Sequence, residues 1–293
     1  MTDHIENEYL QVSVLRKGVE LSGIKSKKTG IEYMWQANPD IWGSHAPVLF
    51  PIIGALKEDQ YSFEGKIYEG LPKHGFIRRN EKLELIEEEA NRLRYELNYS
   101  EDSLKIYPFK FGFSIEYRLE GNKIHVDHEI INQGQEEMLF SLGGHPAFNC
   151  PWRDGAEYEE YYLEFEQEEN DHTWVLSDRG LIDKPGAQLL DNSNTLPLSK
   201  HLFDADALIF KNLTSRTVHL KSSKHSEILS MHFPNFPYLG IWAKPQAPYI
   251  CIEPWMGIAD SETSSGKLEE KEGIMKLAPQ SGFEASYIIE ITE

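Results

Sequence analysis

Residues 109–131, FKFGFSIEYRLEGNKIHVDHEII, carry the pattern that decides the fold. Apolar and polar side chains alternate along 109–119 and again along 123–131, as they do in strands that bury one face. Glu120-Gly121-Asn122 separates the two runs and is typical of a short turn. The stretch therefore predicts a long antiparallel hairpin.

The same pattern recurs along the chain. Two further hairpins are predicted at 61–68, around Gly65, and at 82–99, around Ala90-Asn91-Arg92. Residues 100–107 predict a brief helical turn that Pro108 ends, and no amphipathic helix of ordinary length is present. We therefore predict an all-β chain, a large antiparallel β-sandwich that forms one domain over residues 1–293.

Two segments carry weaker signals. Residues 30–35, GIEYMW, are expected to form another short strand. Residues 261–273 are polar and charged, so we expect a surface loop there.

Composition narrows the functional classes. The chain has 293 residues with 48 acidic and 29 basic side chains, for a net charge of -19. Nucleic acids and anionic membranes need clustered Lys and Arg, so neither is expected as a partner. A strongly anionic substrate would need a local basic pocket.

Location and metal content are also expectations at this stage. The acidic, polar N-terminus is unlike a signal peptide, and no apolar run approaches the length of a membrane span. Cys150 and Cys251 lack metal or disulfide spacing, which favours a reducing cytoplasm. No H-E-x-x-H pattern supports a metal hydrolase, and no metal or cofactor is expected.

One stretch is the strongest candidate for chemistry. Gly143-Gly144-His145-Pro146-Ala147-Phe148-Asn149 follows an apolar run that predicts a buried strand. The two glycines allow close approach, and the proline fixes the backbone after His145. Histidine exchanges protons near neutral pH, so His145 is a general acid/base candidate. A buried, hydrogen-bonded structural histidine fits the same pattern equally well.

Two other residues share this kind of setting. His74 lies in a Pro-Lys-His-Gly-Phe turn, and Glu253 follows an apolar strand and precedes Pro254 and Trp255. A turn histidine bonded to the backbone and a loop carboxylate facing water remain open alternatives. Taken together, a Glu and a His suit pyranose ring opening, which needs one group to take the C1 hydroxyl proton and another to protonate the ring oxygen.

These motifs carry a family resemblance. His-Gly-Phe-Ile-Arg at 74–78, Gly-Gly-His-Pro-Ala-Phe at 143–148 and Ile-Glu-Pro-Trp-Met-Gly at 252–257 resemble the aldose 1-epimerase (galactose mutarotase-like) family. The likeness is greatest to its LacX-type branch. It implies a β-supersandwich that interconverts the α and β anomers of a free hexose.

The resemblance also implies roles for single residues. His145 matches the histidine that protonates the ring oxygen, and Glu253 the carboxylate that takes the anomeric proton. His74 matches a second histidine that positions the sugar and can share in proton transfer. Asp206 resembles the sugar-binding aspartate, with Asp204 as an alternative.

The chain departs from its relatives in one place. Where they commonly carry an arginine that touches sugar hydroxyls, this chain has Ala55, followed by Lys57. We expect Arg78 or Lys57 to supply that donor, and Trp255 to stack on the C–H face of the sugar.

Two other functions remain open. A mutarotase of hexose 6-phosphates would need a basic cluster, for which the candidates are Lys66, Lys73, Arg78 and Arg79. A carbohydrate-binding or sensing protein without catalysis is the other. The expected partner is a small sugar, and the chain is expected to be a monomer or a homodimer.

Overall fold

The computed structural model describes residues 1–293, and strands dominate it. In chain order the strands are β1 (Thr2–Glu6), β2 (Leu10–Leu15), β3 (Glu20–Ser26), β4 (Val48–Leu49), β5 (Gln60–Phe63), β6 (Lys66–Glu69), β7 (Glu84–Glu89), β8 (Arg92–Asn98), β9 (Phe111–Glu120), β10 (Lys123–Asn132), β11 (Met138–Phe140), β12 (Leu142–Gly144), β13 (Ala147–Asn149), β14 (Tyr161–Asp171), β15 (Trp174–Leu176), β16 (Ile182–Pro185), β17 (Leu190–Pro197), β18 (Leu208–Phe210), β19 (Thr217–Ser222), β20 (Ile228–His232), β21 (Tyr238–Trp242), β22 (Tyr249–Met256), β23 (Met275–Leu277) and β24 (Gly282–Thr292).

Two large antiparallel sheets organise these strands. The nine-stranded sheet has the order β17-β14-β19-β20-β24-β10-β9-β8-β7. The eight-stranded sheet has the order β16-β15-β18-β21-β22-β12-β4, with β13 also paired to β22. The remaining strands form a three-stranded sheet, β1-β2-β3, and two small pairs, β5-β6 and β11-β23. The predicted antiparallel β fold is confirmed.

The predicted hairpin forms the middle of the nine-stranded sheet. Lys123 in β10 pairs with Glu120 in β9, so the turn lies where the sequence places it. Phe113, Ile115 and Tyr117 are buried on one face, as the alternation requires. They belong to a cluster of 72 buried apolar residues that forms the main core.

Helices are few and short. The only α-helix is α1 (Glu101–Ile106), which ends before Pro108. Ser100 is its N-cap residue and forms a capping box with Ser103. Short 3-10 turns occur at Lys17–Val19, Lys57–Asp59, Ile77–Arg79, Tyr158–Glu160 and Leu268–Glu270. None of the helices has the length and apolar character that crossing a membrane requires.

The expected strand at 30–35 is wrong. The structure has only isolated bridges there, one between Lys25 and Glu32 and another between Met34 and Phe148. The Glu32 carboxylate accepts from the backbone N–H of Ile24 at 2.7 Å and of Met34 at 2.9 Å. A side chain thus takes the place of ladder hydrogen bonds.

The segment 261–273 is more than a surface loop. Lys271 is buried, and its Nζ lies 2.7 Å from Oδ1 of Asp260, which is buried as well. The other Asp260 oxygen accepts from the backbone N–H of Lys57 at 2.9 Å. This ion pair fastens the segment to the chain around Ala55, next to the functional site described below.

Candidate active site

A cavity of about 260 Å³ opens on the face of the eight-stranded sheet. Residues far apart in sequence meet there, and six of the seven site residues predicted from sequence line it: His74, Arg78, His145, Asp206, Glu253 and Trp255. The seventh, Lys57, does not. The convergence of two imidazoles and one carboxylate in one cleft is what the sequence motifs predict.

β-Sheet pairing brings His145 to Glu253. His145 and Pro146 join β12 to β13, and both of these short strands pair with β22, which carries Glu253. The backbone N–H of His145 donates to the carbonyl of Pro47 at 3.0 Å. The backbone of His145 is therefore fixed by the pairing of β12 and β13 with β22 and by the hydrogen bond to Pro47.

Gly143 and Gly144 permit this arrangement. A Cβ on Gly143 would lie 2.8 Å from the Pro254 carbonyl oxygen and 3.0 Å from Cδ1 of Trp255. A Cβ on Gly144 would lie 2.7 Å from the hydroxyl of Tyr287. A side chain at Gly143 would push β12 away from β22, and one at Gly144 would push it away from Tyr287 in β24, so either would displace His145 from its place beside Glu253.

The two side chains face each other across a short gap. Nε2 of His145 lies 3.3 Å from Oε2 of Glu253. Burial lowers the pKa of His145 to about 3, with Arg78 and Lys73 adding to the effect. Burial raises the pKa of Glu253 well above its usual value, against the opposing pull of Lys73 and Arg78. Burial therefore disfavours the charged form of both side chains.

His74 approaches the same point from a different loop. Its ring lies edge-on to His145, with the centroids 5.7 Å apart. It is buried, and burial lowers its pKa well below the usual value, with His145, Lys73 and Arg78 as further causes. Its Nδ1 accepts a hydrogen bond from the backbone N–H of Gly54 at 3.2 Å.

Two cationic side chains line the cavity. Lys73 directly precedes His74, and Arg78 follows it by four residues. Neither cation has an ion-pair partner within 4 Å. The Lys73 ammonium, which sequence analysis assigned only to a phosphate cluster, thus faces the same space as the acid/base residues. The carboxylate of Asp206 also lines the cavity.

The two candidate aspartates differ clearly in position. Asp204 Oδ2 lies 2.9 Å from Nδ1 of His201, and both side chains are exposed outside the cavity. Asp206 lies in a left-handed backbone conformation, with φ of 76°, and reaches the cavity. The placement favours Asp206 as the sugar ligand.

The position of Lys57 does not fit its expected role as a hydrogen-bond donor to the sugar. Its Nζ donates to the carbonyl of Ser264 at 2.9 Å, on the outside of the loop that follows Gly54. Ala55 is itself buried, and its carbonyl accepts from Asp260 N–H at 3.0 Å. The backbone leaves the cavity after Gly54, so a donor at 57 cannot compensate for the missing arginine.

Trp42 also lines the cavity, although the sequence motifs do not point to it. Its ring stacks on His145, with centroids 5.1 Å apart and planes at 28°. Trp242 meets His145 edge-on at 5.8 Å and also lines the cavity. Loop residues lack a periodic pattern, so no sequence signal identifies Trp42 as a site residue. Phe148, three residues after His145, is fully buried in the core.

One donor set resembles a metal site. Ligand atoms of His145, Cys251 and Glu253 all lie within 4.8 Å of one another. However, burial raises the pKa of the Cys251 thiol well above its usual value, which disfavours the thiolate that would bind a soft cation. Lys73 and Arg78 add positive charge nearby. The arrangement therefore favours proton transfer over metal binding.

Comparisons with known proteins agree with this geometry. The sequence profile of the family described as aldose 1-epimerase matches residues 2–272. The chain is 35% identical to the plasmid-encoded protein LacX of Lactococcus lactis subsp. lactis over 299 residues, which cover 99% of each protein. The likeness to LacX that the motifs indicated is confirmed.

Solved structures give the same result. A galactose mutarotase related enzyme from Lactobacillus acidophilus is 36% identical and matches with a TM-score of 0.93 over 100% of this chain and 98% of that one. A galactose mutarotase-like protein from Lactobacillus casei is 27% identical and matches with a TM-score of 0.90 over the whole of both chains. The chain is therefore an isomerase and a member of the aldose 1-epimerase family.

Proposed function

We propose that the protein is a cofactor-free mutarotase that interconverts the α and β anomers of a free hexose. The observation that carries this proposal is the approach of His145 Nε2 to within 3.3 Å of Glu253 Oε2 at the cavity. An acid and a base of unlike chemistry thus reach one substrate-sized space, as ring opening requires.

The pair holds one exchangeable proton, and catalysis moves it. Transfer from Glu253 to His145 across the short gap gives a carboxylate and an imidazolium without exchange with solvent. The carboxylate then takes the C1 hydroxyl proton while His145 donates to the ring oxygen. The C1–O5 bond breaks, C1 becomes the aldehyde carbon, and the pair is neutral again.

Burial favours this ring-opening step. Both charges are disfavoured in the buried pair, so the ion pair is a high-energy form that is relieved when the protons pass to and from the sugar. Lys73 and Arg78 lower the energy of the carboxylate and raise that of the imidazolium, so they favour return of the proton from His145 to the sugar. Rotation about C1–C2 and reversal of both proton transfers close the ring on its other face.

The other cavity residues hold the sugar. Asp206 and Arg78 supply an acceptor and donors for hydroxyl groups, and Trp255 and Trp242 supply aromatic faces for its C–H groups. His74 contacts the sugar beside His145. These assignments rest on the lining of the cavity and on the match of each residue to a family motif.

Polarimetry tests the proposal directly. Fresh α-galactose and α-glucose lose optical rotation faster with wild-type protein than with buffer. His145→Asn and Glu253→Gln each slow the catalysed decay by roughly 10²- to 10⁴-fold. His201→Asn, at an exposed site outside the cavity, leaves it unchanged. Unchanged rates in both cavity variants would remove the pair from the mechanism, and sugar binding without any acceleration would make the protein a binding protein.

A specific observation favours a second candidate, a mutarotase of aldoses that carry an anionic group such as a 6-phosphate. Lys73 and Arg78 line the cavity with no ion-pair partner in a protein whose net charge is -19. An anionic substituent would pair with them. The test compares glucose 6-phosphate and 1-deoxyglucose as competitors in the glucose assay. This candidate is favoured if glucose 6-phosphate competes at far lower concentration than 1-deoxyglucose does.

The setting of the reaction is part of the proposal. We place it in the cytoplasm, an assignment supported by two cysteines, Cys150 and Cys251, that are both buried and unpaired.

A further inference from the structure

We propose that the backbone of Gly54 fixes His74 in a single tautomer, with its proton on Nε2. His74 then acts in the cavity as a permanent neutral hydrogen-bond donor and does not carry protons during turnover. The catalytic consequence rests on the proposed mutarotase function, whereas the tautomer itself is a property of the folded chain.

Two reciprocal hydrogen bonds carry the inference. The N–H of Gly54 points at Nδ1 of His74 at 3.2 Å, and the N–H of His74 donates to the Gly54 carbonyl at 3.0 Å. A backbone N–H can only donate, so Nδ1 must accept and cannot carry a proton. A neutral imidazole has one donor and one acceptor nitrogen, so the proton lies on Nε2. Nε2 has no partner in the protein, and His74 lines the cavity.

The Gly54 amide cannot move away easily. Gly54 has φ of +68°, and a Cβ there would lie 2.7 Å from the Cα of Ala259. The chain beyond His74 is also fixed, because Phe76 N–H donates to the Phe50 carbonyl at 3.0 Å. His74 itself has φ of 66°, a strained conformation that its surroundings must maintain.

The charges around His74 oppose a second proton. The titratable groups that face it are His145, Lys73 and Arg78, and each of them lowers its pKa further below the level set by burial. An imidazolium would also lose the Gly54 hydrogen bond, because a protonated Nδ1 would confront another N–H. His74 is therefore neutral throughout the pH range in which the protein works.

A division of labour follows. Protons pass through His145 and Glu253, and His74 offers a fixed N–H to a sugar oxygen beside them, where negative charge or a lone pair develops during ring opening. Such a preorganised donor stabilises the transition state without changing its own protonation.

Isosteric variants test this role. The side-chain amide of Gln can place an N–H near the position of Nε2, whereas that of Asn reaches only the position of Nδ1. We expect His74→Gln to keep kcat within about tenfold of wild type, and His74→Asn and His74→Ala to lose about 10²- to 10³-fold. Backbone preference works in the opposite direction, because Asn tolerates the positive φ at 74 better than Gln does. Greater activity of His74→Asn than of His74→Gln would overturn the proposal.

Nuclear magnetic resonance gives a readout that does not depend on activity. Two-bond ¹H–¹⁵N correlations of histidine-labelled protein, with His74 assigned by its loss in His74→Gln, should show Nε2 protonated and Nδ1 unprotonated at both about pH 5 and about pH 8. A proton on Nδ1, or a titration of His74 within that range, would overturn the tautomer assignment. If wild type lacks mutarotase activity, the proposed function fails while this spectrum still decides the tautomer.

Discussion

Nε2 of His145 lies 3.3 Å from Oε2 of Glu253, with only 11% and 2% of the two side chains exposed. Both side chains line the cavity, and Oε2 of Glu253 has no hydrogen-bond partner in the protein. Burial shifts the two pKa values in opposite directions, and both shifts favour the neutral form of the side chain. In the proposed mechanism the two groups pass one proton between them and so act as one unit.

A unit of this kind predicts strongly non-additive mutations. Either His145→Asn or Glu253→Gln removes the proton relay, so the double variant should be no slower than the slower single variant, within about threefold. Catalytic rates from polarimetry on all four proteins give the coupling. Multiplicative losses would show that the two residues act independently.

The pH dependence of stability follows from His145. Its folded pKa is depressed to about 3, so an unfolded chain binds a proton below pH about 6.5 that the folded chain rejects. His145 should therefore contribute a loss of stability as the pH falls from about 6.5 toward 3, and His145→Gln should remove that contribution. Urea unfolding of both proteins at about pH 7.5 and about pH 5 measures the difference.

Glu253 makes the opposite contribution. Its folded pKa is raised, so the folded chain holds a proton that the unfolded chain releases, and stability falls as the pH rises through that folded value. In an unfolding series extended from about pH 5 to about pH 9, Glu253→Gln should remove this fall in stability. Parallel pH profiles of wild type and both variants would show that neither pKa changes on folding.

Trp42 is expected to support the charged form of His145. Its ring stacks on the imidazole at 5.1 Å, and an aromatic face stabilises a cation by about 0.5–2 kcal/mol. We expect Trp42→Leu to lower kcat by about tenfold, with a smaller change in Trp42→Phe, which keeps an aromatic face. Equal effects of Leu and Phe would assign Trp42 to packing alone.

The sequence predicts most of the catalytic centre because strand patterns and Gly/Pro turns are local signals. His145 and Glu253 each follow such a pattern, and pairing of β12 and β13 with β22 brings them together. Trp42 and Lys73 lie in loops whose direction depends on distant contacts, so no periodic pattern predicts their place.

Lys57 is a residue that was expected in the site but lies outside it, for the same reason. The family resemblance implies a cation soon after Gly54, but the chain turns away from the cavity at Ala55, whose carbonyl accepts a hydrogen bond from the Asp260 N–H. Asp260 lies 205 residues further along the chain (260 − 55), and its register against Ala55 is a tertiary property.

Arg78 and Arg79 offer a matched pair for substrate binding. Arg78 lines the cavity, whereas Arg79 lies on the outside of the same turn. A guanidinium that hydrogen-bonds the sugar contributes about 1.5–3 kcal/mol, so Arg78→Met should raise KM roughly 10- to 100-fold. Arg79→Met should leave KM within about twofold. A larger effect of Arg79→Met would move the binding surface outside the cavity.

Removal of the buried ion pair between Lys271 and Asp260, close to the cavity, should cause a large loss of stability. Lys271 Nζ lies 2.7 Å from Asp260 Oδ1, with 2% and 5% of the side chains exposed. Lys271→Met leaves a buried carboxylate without its partner and should lower the free energy of unfolding by about 3–5 kcal/mol.

The control is Lys267→Met. Lys267 pairs with Glu270 at the same 2.7 Å with both side chains half exposed, so its loss should change stability by under about 1 kcal/mol. Urea unfolding compares the two variants, and equal stabilities would mean that water reaches Asp260 once Lys271 is removed.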